Sequence, residues 1–169
     1  MLIVKFIVAG AIVATCTMLG ISKSKKYESR ERILRECIML FGGIENEIKY
    51  SLTTVPNAIE VVRQNMHTYL KDVLGAITTK MLEGNVSSQE ISLELDKLIE
   101  LTSYDKQIIT QGLSMLGNSD VDGEMGVVKL TISNLETELI DAIEDKKKNS
   151  KLYKTIGMAS GLMIAIVFI

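Results

Sequence analysis

The sequence predicts an all-α protein, an antiparallel bundle of about five helices set between an N-terminal and a C-terminal transmembrane helix. Three observations predict it. Apolar residues along the body recur at steps of three and four, the spacing of one helix face. No segment sustains the alternation of a half-buried strand. Both ends of the chain carry long apolar runs without charge. The 169 residues are 47% apolar and hold 19 bases against 21 acids, which disfavours disorder, and two cysteines exclude a disulfide scaffold.

The first element is the apolar run at residues 6–22, 17 residues without a charge. A signal peptide is the competing reading, because Lys5 precedes the run. Against it, Lys23, Lys25 and Lys26 follow, and Val13-Ala14-Thr15-Cys16 is a poor lipoprotein box. The run is therefore expected to stay as an anchor, with residues 1–22 as the first span.

The body follows over residues 23–151. Leu34, Cys37, Phe41, Ile44 and Ile48 fall at steps of three and four, a coiled-coil-like seam. Pro56, the single proline, marks the end of this long helix, with Thr53 or Thr54 available to cap the next. Gly42-Gly43 lies inside the helix at a cost of about 1 kcal/mol per glycine, which close packing or a kink would explain. A second stripe runs through Met66, Leu70, Val73, Ile77 and Met81.

Ser87 and Glu90 form a capping-box pattern ahead of Ile91, Leu95 and Leu98. Thr102 and Asp105 repeat it before Ile108, Ile109, Leu113 and Leu116, and Gly117-Asn118-Ser119-Asp120 predicts a turn. The last long helix carries Val128, Ile132, Leu135, Leu139 and Ala142 and runs on through Lys146, Lys147 and Lys148. The implied arrangement is a long helix, three shorter ones and a long return helix, with the first and last side by side.

Residues 152–169 form the expected second span, about 27 Å at roughly 1.5 Å per residue, with Lys154 reaching toward the headgroups. Gly157-x-x-x-Gly161 here, and Gly10-x-x-x-Ala14 in the first span, place small residues one turn apart. Such pairs let helices approach closely, between the two spans or between subunits. Eleven bases flank the body, six from Lys23 to Arg35 and five from Lys146 to Lys154, whereas Lys5 is alone outside. This bias puts the middle in the cytoplasm and both termini outside. The same bases suit anionic headgroups, although topology explains them equally well.

Between residues 36 and 145 there are 19 acids, so nucleic acid is not an expected partner. No phosphate-binding glycine loop is present. His67 alone builds no metal site, and Cys16 and Cys37 read as small buried hydrophobes. Glu45 and Glu47, two residues apart, point to different sides of a helix and cannot share a substrate. The sequence thus predicts no cofactor, metal or catalytic residue.

The string Ile44-Glu45-Asn46-Glu47-Ile48-Lys49-Tyr50-Ser51-Leu52-Thr53 resembles a segment of the stage III sporulation protein AB family. Pro56 and Ala58 continue the likeness, as do Leu116-Gly117-x-x-Asp120, Thr131-Ile132-x-x-Leu135-Glu136 and Gly157-x-x-x-Gly161-Leu162. Thr54 departs from it, since the family often has proline there. The resemblance covers essentially the whole chain and extends to the cytoplasmic domains of type II secretion platform proteins.

What it implies is a structural, non-enzymatic subunit of the channel between mother cell and forespore, in the mother-cell membrane around the forespore. Its partners would be other channel proteins, including a cytosolic secretion-type ATPase. The candidate contact residues are Glu45, Glu47 and Tyr50, which lie in the most family-specific string. A membrane-anchored signalling or regulatory helical module is the alternative. It would need a sensing domain outside, and about five residues precede the first span while none follow the second. A homo-oligomer and a monomer both remain compatible with the narrow seams.

Overall fold

The computed structural model describes the chain apart from Met1, Leu52, Asn85, residues 118–120 and Ile169, and it describes backbone alone at residues 2–7, 9, 121, 167 and 168. Among the described residues there is helix and no strand. The elements are α1 (Leu2–Asn46), α2 (Val55–Arg63), α3 (Leu70–Glu83), α4 (Ser88–Leu95), α5 (Ser103–Met115), α6 (Val121–Asp145) and α7 (Lys151–Phe168), with π-helical turns at Glu47–Ser51 and Lys146–Ser150. The chain divides into two compact units, Arg32–Ile140 in one and Met1–Glu31 with Asp141–Ile169 in the other.

In the Arg32–Ile140 unit the α1 seam is the spine of the core. Leu34, Cys37, Phe41 and Ile44 are wholly buried and Ile48 nearly so. Ala58 and Ile59 of α2, Leu70, Leu74 and Ile77 of α3, Ile91 and Leu95 of α4, and Ile109 and Leu113 of α5 are buried with them. Each of the large side chains among them contributes about 1.5–3 kcal/mol by leaving water. Consecutive short helices pack together, α2 on α3, α3 on α4 and α4 on α5.

Four short helices stand where the sequence predicted three. Pro56 sits in the first turn of α2, where its missing N–H costs nothing, and Thr54 precedes it in an extended conformation. Met66 is buried but lies in the turn before α3. That turn is held by the buried Glu36 carboxylate, which accepts from His67 N at 3.0 Å, Thr68 N at 3.3 Å and Thr68 Oγ1 at 2.5 Å.

Both capping boxes form. Ser87 Oγ accepts from Glu90 N at 3.3 Å while Glu90 Oε2 accepts from Ser87 N at 3.0 Å. At α5, Asp105 Oδ2 accepts from Thr102 N at 2.8 Å and Thr102 Oγ1 accepts from Asp105 N at 3.1 Å. α5 ends at Met115, and two residues on, the chain turns at Gly117, whose φ of 86° suits a residue without Cβ. Its N–H donates to the buried Glu124 Oε1 at 2.9 Å. The predicted turn residues Asn118, Ser119 and Asp120 lie outside the described residues.

In the other unit, the early part of α1 pairs with the Lys146–Ser150 turn and α7. Tyr27 and Tyr153 stack with centroids 5.9 Å apart, and Ser24 Oγ lies 2.5 Å from Ser150 Oγ. Ion pairs continue the contact, Glu31 with Lys146 at 2.7 Å, Glu28 with Lys154 at 3.2 Å and Arg30 with Asp145 at 3.4 Å.

Among the described residues, no helix is long and apolar enough to cross a membrane. The expectation that residues 1–22 and 152–169 are transmembrane helices is thus not supported by the described residues. α7 opens on Lys151 and Lys154 and so spends its first turn on charge. The start of the first apolar run and the end of the second fall where side chains lie outside the described residues.

Candidate functional site

The two glycines inside α1 do different things. A Cβ on Gly43 would stand 2.5 Å from Val62 Cγ2, so its hydrogen is what lets α2 lie against α1. A Cβ on Gly42 would meet nothing within 4 Å, and no side chain fills that space. Close packing thus accounts for Gly43, and Gly42 leaves an opening.

That opening is a groove of about 470 Å³, lined by Gly42 and Gly43 together with Met39, Asn46, Glu47, Val61, Val62 and Asn65. Met39 and Val61 are about half exposed, an apolar wall with amides and one carboxylate at its edge. The helix widens beside it into the π turn Glu47–Ser51, a departure found often at functional sites. The groove offers shape, apolar surface and one negative charge. That suits a helix or loop of a protein partner bearing a cation.

Of the three candidate contact residues, Glu47 lines the groove. Glu45 is half-buried near the end of α1 and is not part of the lining. Tyr50 is 74% exposed on the π turn, with Lys49 Nζ 5.3 Å from its ring centroid. Sequence reasoning missed Met39, Val61, Val62 and Asn65. The adjacent glycines were the available signal, since a glycine with no packing role implies either strain or open space.

The small residues of the end helices also divide. A Cβ on Gly157 would stand 2.9 Å from the Cys16 carbonyl oxygen, and one on Gly161 3.0 Å from Val13 Cα. Gly157 faces Gly20, where a Cβ would meet the Tyr153 carbonyl oxygen at 2.5 Å, and Gly161 faces Val13 and Cys16. Gly10 has open space about it and Ala14 is exposed, so neither takes part in that approach.

Burial, followed by the nearby Glu36 and Asp105 carboxylates, pushes the Cys37 thiol far up and keeps it protonated. The His67 side chain is exposed, and its residue is fixed through its backbone N–H. Among the described residues no group of three or more histidines, cysteines or acids could hold a metal ion.

A family model described as Stage III sporulation protein AB (spore_III_AB) matches residues 5–169. The chain is also 25% identical over 167 residues to "Stage III sporulation protein AB" of Bacillus subtilis (strain 168), covering 96% of this chain and 98% of that protein. No solved structure matches. A match along nearly the whole length places the chain in the stage III sporulation protein AB family, with a role in sporulation.

Proposed function

We propose that the chain is a non-catalytic platform subunit of a sporulation channel between mother cell and forespore. Its paired ends anchor it in the mother-cell membrane, and its Arg32–Ile140 unit faces the cytoplasm and receives a secretion-type ATPase. The ATPase supplies hydrolysis, while this chain holds position and transmits it.

The observation that carries the reading is the inverted packing of the end helices. Their contact is built from Gly20, Gly157, Gly161 and Cys16, while Met18, Leu19, Ile156, Met163 and Ile166 are exposed. In water that arrangement forfeits the apolar burial that ordinarily stabilises helix pairs. In lipid it is the favoured one, because small residues let backbones close and large apolar ones meet acyl chains. The apolar runs also continue into the residues at each end whose side chains are not described. For docking, the groove beside Glu47 supplies a surface, with Glu45 and Tyr50 near it in sequence.

Thiol labelling tests the placement. With Cys16 replaced by alanine and a single reporter at the exposed Gln89 (Gln89→Cys), an impermeant reagent should label permeabilised cells and leave intact cells unlabelled. Cys37 is fully buried and stays silent. Labelling of intact cells would put the helical unit on the far side and end the ATPase-docking reading.

A further inference from the structure

The Lys146–Ser150 turn and the start of α7 border a second cavity, about 510 Å³, lined by Lys146, Lys147, Lys151 and Lys154 with Glu31, Ile143 and Ser150. Lys146 is paired with Glu31 at 2.7 Å and Lys154 with Glu28 at 3.2 Å. Lys147 and Lys151 are exposed and have no ion pair among the described residues. Four residues apart, they repel each other as like charges on one helical turn do, so the site is left with surplus positive charge. An anion bound there relieves it.

What the anion is attached to follows from the rest of α7. Seven and eleven residues beyond Lys151, and so on the same face of α7, Met158 and Leu162 are exposed apolar side chains. A group that puts phosphate oxygens among the lysines and hydrocarbon along α7 satisfies both surfaces. We propose that this cavity binds the phosphate of an anionic phospholipid headgroup, with Lys147 and Lys151 as its charge partners. The proposal rests on the membrane reading above, since only a membrane presents that headgroup beside the end helices.

The full chain, purified in non-ionic detergent, is given equimolar phosphatidylglycerol and phosphatidylcholine, and bound lipid is read by native mass spectrometry. Phosphatidylglycerol should be retained preferentially. The double variant Lys147→Gln/Lys151→Gln should lose about 30-fold of that preference, at about fivefold for each lysine near an anionic headgroup. Lys147→Arg/Lys151→Arg should keep it, as should Lys129→Gln, whose lysine is not part of the cavity lining. Both glutamine changes are at exposed positions, and circular dichroism should match the parent.

Equal retention of the two lipids by the parent chain overturns the inference. So does displacement of phosphatidylglycerol by an equal concentration of inorganic phosphate, which would make the cavity a site for the free anion. A parallel flotation with pure phosphatidylcholine vesicles separates the two claims. A chain that floats but shows no lipid preference removes the headgroup site alone, and one that does not float removes the membrane reading along with it.

Discussion

Gly112 sits where three helices meet, and a Cβ there would stand 2.7 Å from Phe41 Cζ and 2.8 Å from Thr131 Cγ2. Neither neighbour has room to retreat, since Phe41 is wholly buried and Thr131 nearly so. Gly112→Val should therefore cost about 1–3 kcal/mol by overpacking and lower the thermal midpoint of the full chain. Gly42 gives the opposite outcome. Gly42→Leu enters open space and removes a helix-interior glycine, so stability should hold or rise by up to about 1 kcal/mol, read as an unchanged or higher thermal midpoint. The added side chain also fills the groove, so if the proposed docking of a secretion-type ATPase uses it, capture should fall while the fold stays intact. Undiminished capture would move docking elsewhere. The groove was only half legible in the sequence, because a glycine pair signals missing side chains without saying which helix comes to face them.

Elements show the same division. Two S/T-x-x-E/D patterns were readable because a capping box is a contract between residues three apart, and both formed as read at Ser87 and Thr102. The seam was readable because apolar steps of three and four, sustained from Leu34 to Ile48, fit one face of a helix and no strand. α2 was not, since nine residues starting beside Pro56 offer too short a stripe. The π turns were illegible because five residues of altered winding leave the apolar pattern nearly unchanged. One tie between elements required the fold altogether, the buried Glu94 of α4, which accepts from Lys80 of α3 at 2.8 Å and from Lys97. Hydrogen bonds from Lys80 and then Lys97 hold its carboxyl below the ordinary 4.5. Its contribution is thus fully present above pH 4.5 and lost as pH falls through the lowered value. Glu94→Gln should reduce the thermal midpoint at neutral pH and flatten its decline below pH 4.5, which melting curves over that range will check.

Across the whole molecule, the pairing of the chain's two ends is the long-range feature the sequence did foreshadow, from the basic flanks and small residues. What it left open was which small residues meet, because helical periodicity fixes faces but not the register between two helices. Ser24 and Ser150 now supply that register, and Ser24→Cys/Ser150→Cys in a Cys16→Ala background should oxidise to an intramolecular disulfide, visible as faster migration on a non-reducing gel. Gly157→Leu should abolish the cross-link by forcing α7 away from the Cys16 carbonyl. A parent pair that stays reduced would dissolve the hairpin. The two serines are separated by 126 positions, and a ribosome adds about 5–20 residues per second. For roughly 6–25 seconds of synthesis, the glycine face near Gly20 therefore has no mate. Through that interval the close approach of Gly20 to Gly157 cannot form, and it becomes available only once α7 has been made.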